Sequence, residues 1–306
     1  MKALTILLLI LIFVSGCSPV LQTKPIAHVD LNNLQPLPTP SQEGIPLRVA
    51  VAAVISPKGT VESYSALIDY LSEKTGRPVE LVQRRTYMEV NDLVKRGEVD
   101  VAFVCTSAYI AGQNDFGMRL LVAPQVNGKI TYQSYLIVPI DSSAQDIADL
   151  KGKVFAFTDP ISLTGRVYPT YLVEQLGSTT DTFFSRTFFT YSHDEAIYAV
   201  ANLLADGASV DSLVYEFAIS RDPSLAQKTR IIHKSPAFGI PPVVIGPDVR
   251  PQVAAELTTL LLEMSNDPAG QAALKVIDID RFVLIEDSSY DSIRDLLGAM
   301  ALFEGP

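Results

Sequence analysis

Cysteine is nearly absent: Cys17 and Cys105 are the only two in 306 residues. That excludes a disulfide-stapled scaffold and a multi-cysteine metal cluster. Basic residues are outnumbered, with 24 lysines and arginines against 34 aspartates and glutamates and a formal net charge of -10. So acidic a chain lacks the basic footprint that nucleic acid demands, and any anion it binds must be held by local geometry and not by the overall field. Histidine occurs three times, as His28, His193 and His233. No metal-ligating cluster, nucleotide-binding glycine loop or nucleophile beside a base can be found. An enzyme is therefore not expected, nor a cofactor or metal. No apolar run reaches the roughly 18 residues of a membrane-spanning helix.

What is present is a chain with 48% hydrophobic residues, enough for one large core or two moderate ones. Met1-Lys2 leads into an apolar run, Ala3 to Val14, and small residues then precede Cys17. This resembles a bacterial lipoprotein signal, which implies that residues 1–16 are removed, that Cys17 is acylated, and that the chain is tied to a membrane by that lipid. Residues 17–45 hold five prolines and no periodic pattern, so they read as an extended tether. The protein is then expected in the cell envelope, facing the periplasm or the exterior.

From Leu47 onward strand and helix signals alternate, the mark of an α/β fold with mainly parallel strands. Strands are expected at Leu47–Val54, Val79–Val82, Val99–Val104, Val154–Phe157, Arg186–Phe189, Val210–Val214 and Arg230–His233. Helices fall at Ser63–Lys74, Tyr87–Lys95, Gly165–Leu176, His193–Leu204, Pro251–Met264 and Tyr290–Leu302. Asn127-Gly128 is a strong turn signal. Tyr132–Pro139 and Pro241–Ile245 read as extended crossings between two lobes, residues 46–138 plus 241–306 and residues 139–240. In such folds ligands gather where strands end and helices begin. Two stretches echo each other at such places, Arg96–Ile110 and Asp206–Ser220. Aligned on Asp100 and Asp211, they set Cys105 and Glu216 at equivalent positions.

One strand end stands out chemically. In VFAFTDPISLTGRVYPTYL, residues 154–172, Ser162 and Thr164 offer hydroxyls where the first helical N–H groups lack partners and the helix dipole is positive. Gly165 lets the backbone approach closely. An oxyanion fits there, and so does an ordinary N-cap.

The segment 151–177 resembles the L-K-G-K-x-F-A-F-x-D-P-x-S-x-S-G-x-x-x-P pattern of periplasmic substrate-binding proteins of phosphonate, phosphite and phosphate ABC transporters. YSALIDYLSEKTGRPVEL, GEVDVAFVCTSAYI and YSHDEAIYAVANLLADGASVD resemble three further motifs of that family, in the same order. The resemblance implies a two-lobed type II periplasmic-binding-protein fold with the ligand in the interlobe cleft. It implies that Ser162, Thr164 and nearby amides, including those of Leu163 and Gly165, hold the anion's oxygens. His193 would close on the anion with a raised pKa, and Tyr64 and Tyr109 would face it from the first lobe. Thr106, Tyr132 and Tyr215 complete the expected lining.

Departures from the pattern matter. Leu163 removes one side-chain donor, Arg166 adds a cation beside the turn, and Cys105-Thr106-Ser107 replaces a Gly-Pro step. Glu216 would bring a carboxylate that favours ligands with protons to donate. The resemblance implies a monomer that delivers a small oxyanion to a membrane permease of an ABC transporter. The alternative is a family branch that senses arsenite, with Cys105 as a soft ligand and a membrane sensor kinase as the partner.

Overall fold

The computed structural model describes residues 44–301. The expected leader, the tether up to residue 43, and Cys17 lie outside the described residues. The strands are β1 (Leu47–Val51), β2 (Val79–Gln83), β3 (Val101–Phe103), β4 (Arg119–Gln125), β5 (Thr131–Tyr132), β6 (Ser134–Pro139), β7 (Val154–Phe157), β8 (Arg186–Phe189), β9 (Gly207–Asp211), β10 (Thr229–Lys234), β11 (Phe238–Gly239), β12 (Val243–Ile245) and β13 (Arg281–Val283).

Two sheets share one plan. The first runs β13-β4-β12-β3-β1-β2 and the second β10-β6-β9-β7-β8. In the first, β1 pairs in parallel with β2 and β3, and β12 lies antiparallel between β3 and β4. The second repeats this, with β7 parallel to β8 and β9, and β6 antiparallel between β9 and β10. In each sheet the strand that arrives from the other lobe, β12 or β6, runs antiparallel to both its neighbours. The chain crosses twice, and β5 and β11 pair antiparallel at the crossings to make a two-stranded hinge.

Side-chain alternation explains how each sheet is covered. Phe155 and Phe157 face one layer with Leu136, Val138, Phe183 and Phe184. Ala156, Tyr135 and Ile137 face the opposite layer with Ile197 and Val200. In the first lobe Val49 and Val51 pack against Leu67, Leu71 and Leu257, while Ala50 and Ala52 join a separate cluster that reaches the second lobe. Period-two placement thus gives each strand two buried faces, as parallel sheets require.

Several boundaries move from those read in the sequence. Ser134–Pro139 pairs with β9 and β10, so the first crossing falls at residue 133 and not at 138. The strand expected at Val210–Val214 is instead Gly207–Asp211, because Asp211 caps the next helix by accepting the Leu213 N–H at 2.7 Å. Pro57 starts its helix six residues before Ser63. The helix Pro268–Val276, capped by Asp267 with a proline at its first turn, was not anticipated. Asn127-Gly128 is a tight turn with both residues at positive φ, as expected.

Candidate functional site

The hydroxyl turn follows β7 and opens in a π-helical turn, Leu163–Val167, before the helix Tyr168–Gln175. Ser162 Oγ accepts the Gly165 N–H at 3.1 Å, so the serine is a cap as well as a candidate donor. Gly165 cannot be replaced quietly, since a Cβ there would sit 1.8 Å from Thr158 Oγ1. Ser134 on β6 donates to the Thr164 carbonyl at 2.8 Å and holds the turn from behind. Ser162, Leu163 and Thr164 are each 1% exposed or less. The Thr164 hydroxyl has no partner among the described residues.

His193 begins the helix His193–Ala201 and is buried. The Asp211 N–H donates to its Nδ1 at 3.0 Å, which places the proton of the neutral ring on Nε2. Nε2 lies 3.5 Å from Ser162 Oγ. Burial pushes the His193 pKa down to about 3, against the rise expected from the sequence. The imidazole is therefore a neutral N–H donor of fixed tautomer, aimed at the hydroxyl turn.

Asp211 meets this cluster through its backbone N–H, while its carboxylate caps the next helix. It is buried, and burial raises its pKa to about 7 despite backbone N–H donors from Leu213 and Val214. Glu216, the carboxylate the sequence placed here, is exposed and accepts the Tyr135 hydroxyl at 2.8 Å. The two lobes in fact align five residues away from the sequence register. Asp100 accepts the Arg48 N–H on β1, and Asp206 accepts the Val154 N–H on β7, each just before the third strand of its sheet. Asp206 is the counterpart of Asp100. It follows that Cys105 and Asp211 are equivalent, each the N-cap of the helix that follows.

The first lobe contributes phenols, though not all those expected. Tyr64 packs edge-on against Phe103 and lines a mainly apolar crevice with Asp211, Leu213 and Phe217; burial and Asp211 push its pKa up to about 12. Glu216 lies along the same crevice. Tyr109 turns away, donating to Asp287 at 2.6 Å in a network with Gln113 and Arg294. Tyr215 likewise bonds Thr229 inside the second lobe. Tyr87, not among the expected residues, is fully buried; burial, and then Cys105, raises its pKa well above the usual value. Its hydroxyl lies beside Ser162, and that of Tyr132 lies beside Thr106, but neither closes a hydrogen bond. With the hydroxyls of Thr164 and Ser192 they form a set of buried O–H groups lacking partners.

Other expected residues take structural parts. Leu163 carries its side chain into the first lobe's cluster beside Cys105 and Ala108. Thr106 donates to the Gly239 carbonyl at 3.0 Å, and Ser212 accepts the Gln133 N–H at 3.0 Å, so equivalent residues anchor β11 and the residue after β5. Arg166 stacks 4.2 Å over the Phe157 ring, where burial lowers its pKa, and donates to Thr180 Oγ1 at 3.3 Å. Cys105 is the one free thiol among the described residues, and burial pushes its pKa up. A thiol held protonated is a poor soft-metal ligand.

Direct bonds join the lobes around this cluster. Asp159 accepts the Tyr87 N–H at 3.0 Å, and Asp194 accepts the Ser56 N–H at 2.9 Å. His193 N–H donates to the Val54 carbonyl at 2.9 Å, and Ser107 donates to the Ile161 carbonyl. Two carboxylates of the second lobe thus sit at helix starts of the first.

Comparison with known proteins agrees with this architecture. The family model described as "ABC transporter, phosphonate, periplasmic substrate-binding protein" matches residues 49–290. The chain belongs to that family. A curated relative, the phosphate-import protein PhnD of Mycolicibacterium smegmatis, is 28% identical over 274 residues, covering 82% of this chain and 85% of the relative. A binding-protein component of an ABC phosphonate transporter from Pseudomonas aeruginosa superposes with a TM-score of 0.77 at 21% identity, over 82% of this chain and 85% of its own. A Prochlorococcus marinus protein solved with methylphosphonate gives 0.75 at 17% identity, over 85% and 99%. These structural likenesses fix the fold as that of a type II periplasmic binding protein.

Within this family fold, the residues overlooked in the sequence share one feature. Tyr87, Asp211 and Ser192 each stand at or next to a helix start. Asp211 was discoverable by aligning D-V-A-F-V-C-T with D-G-A-S-V-D-S, residues 100–106 and 206–212. Tyr87 was marked by the capping box of Thr86 and Glu89, which fixes where its helix begins. Among the described residues no helix is long and apolar enough to cross a membrane.

Proposed function

We propose that this protein captures a small phosphorus oxyanion, of the phosphonate, phosphite or phosphate class, between its lobes and presents it to the permease of an ABC importer. It does so from a membrane to which Cys17 ties it by a lipid. The observation that carries this reading is the cradle itself: Ser162, the unpartnered Thr164 hydroxyl and the Nε2–H of a neutral His193, buried together at the start of a helix. Such donors stabilise oxygens that carry negative charge and are preorganised by the turn, by Ser134 and by Asp211. The family and the functions of its relatives support the same ligand class. The anchor rests on the sequence before residue 18.

Nothing in the cluster pairs a nucleophile with a base, because His193 Nδ1 already accepts a backbone N–H. The chemistry it supports is reversible capture. Calorimetric titration with phosphate, phosphite, methylphosphonate and aminoethylphosphonate tests this directly. Tight binding of at least one is expected, weakened in Thr164→Ala by about 1–3 kcal/mol because a ligand oxygen loses its donor in a dry site. Silence across all four ligands overturns the reading.

A further inference from the structure

The hydroxyl turn lacks one helical bond, and the residue that replaces it sits at the hinge. In the π-helical turn the Leu163 carbonyl accepts the N–H five residues on, from Tyr168. The same step from Thr164 reaches Pro169, which has no N–H to give. A buried carbonyl without a partner is costly, and Ser134 supplies one at 2.8 Å. The N–H of the same peptide, on Gly165, is held by Ser162 Oγ at 3.1 Å. Serines thus pin both ends of the peptide that carries the unpartnered Thr164 hydroxyl.

Ser134 is also the first residue of β6, directly after the crossing at Gln133. Its N–H donates to Ser235 Oγ at 2.8 Å, and its carbonyl accepts the Ser235 N–H at 2.9 Å. Ser235 lies on the return crossing, between β10 and β11, and its own carbonyl accepts the Gln133 side-chain amide. The two crossings are therefore joined to each other at Ser134. The bonds also have a direction. The Thr164 carbonyl can only accept, so the single hydroxyl proton of Ser134 goes there, and in the 2.7 Å contact with Ser209 Oγ it is Ser209 that donates. A chain from Ser209 through Ser134 to Thr164 results, each bond polarising the next. Ser134, Ser209 and Thr164 are each 1% exposed or less, so the chain lies away from solvent.

Building on the oxyanion reading above, we propose that Ser134 is a positioning residue that couples the hinge to the cradle. Bending at the two crossings moves Ser134, and through the Thr164 carbonyl Ser134 sets the turn that receives the anion. Its own proton is committed to that carbonyl, so its effect on the ligand passes through the turn. Ser209 backs it from β9, the strand whose Asp211 N–H fixes the His193 tautomer, so one strand supports both halves of the cradle.

The test is a double-mutant cycle read in ligand affinity, by calorimetric titration of the full chain with phosphate and with methylphosphonate. Ser134→Ala is expected to weaken binding on the order of tenfold. In a Thr164→Ala background the same substitution should cost less than about threefold, because the hydroxyl it positions is gone. A merely structural bond would lower thermal stability and leave affinity alone, or lower affinity equally in both backgrounds. Ser235→Ala removes the acceptor of the Ser134 N–H on the return crossing; it should weaken binding about threefold, and have no effect once Ser134 is alanine. Should Ser134→Ala not fold, Ser209→Ala takes its place in the cycle, with a loss of about threefold expected. Unchanged affinity in the folded variant, equal losses in the two backgrounds, or an unaffected Ser235→Ala each overturns the hinge coupling and leaves the oxyanion site standing. Wild type binding neither ligand overturns the oxyanion reading, and this inference with it.

Discussion

The two lobes follow the same strand order, yet they bring different chemistry to the cleft. The second lobe supplies hydroxyls, a neutral imidazole and a carboxylate, each held by a hydrogen bond from its own backbone or sheet. The first supplies phenols and a protonated thiol, together with helix starts that the second lobe's Asp159 and Asp194 cover. On the proposed reading, the difference makes one lobe a built cradle and the other largely a cover. A cradle must be rigid before the ligand arrives, because donors that wait in place lose little freedom on binding. A cover needs only to exclude water and complete the surface.

Breaking the cradle should cost most. Gly165→Ala puts a Cβ against Thr158, and the turn must shift to admit it. We expect a loss of about 1–3 kcal/mol in stability with ligand binding abolished, read by thermal unfolding and calorimetry. Normal affinity in a stable Gly165→Ala variant would show that the turn does not shape the site.

His193 gives the next effect, in pH dependence. Its folded pKa, about 3, lies below the ordinary value near 6.5, so the unfolded chain takes up the proton first as pH falls. Stability from this group is complete above about pH 6.5 and is lost toward pH 3, at up to about 1.4 kcal/mol per pH unit. Asp211 acts in the opposite sense: its raised pKa destabilises the fold as pH rises from about 4 toward 7. The His193 contribution is therefore read as the difference between wild type and His193→Gln. Parallel stability curves for the two would refute the buried neutral imidazole.

A smaller effect sharpens the role of the cover. Asp194→Ala leaves the Ser56 N–H without its acceptor and should weaken closure by about 1 kcal/mol. Small-angle scattering of the ligand-free protein should then show a larger radius of gyration than wild type. The smallest change belongs to Tyr109→Phe, which removes a bond to Asp287 outside the cradle. Unaltered ligand affinity is expected, with at most about 1 kcal/mol of stability lost. A clear loss of affinity would return Tyr109 to the site.

The failures of sequence reading have specific physical causes. Tyr109 and Tyr87 both sit near helix starts after first-lobe strands, and only the packing of the helix Thr106–Phe116 turns the first toward Asp287. Aligning the repeat on Asp100 and Asp211 sets Glu216 against Cys105, whereas the strands pair Asp100 with Asp206 and Cys105 with Asp211. The hydrogen bonds that fix the register, from Arg48 and Val154 to Asp100 and Asp206, join residues 52 apart in each case.

By itself the sequence determined the alternation of strands and helices, the Asn127-Gly128 turn, the hydroxyl turn at Ser162–Gly165 and the family motifs. All of these are local patterns, dictated by side-chain period, backbone freedom and capping within a few residues. Only the tertiary structure decided that Tyr109 turns to Asp287, that Asp211 and not Glu216 is the buried carboxylate, and that His193 is neutral. Those properties depend on burial and on partners distant in the chain, because solvation and charge belong to the assembled site and not to any one segment.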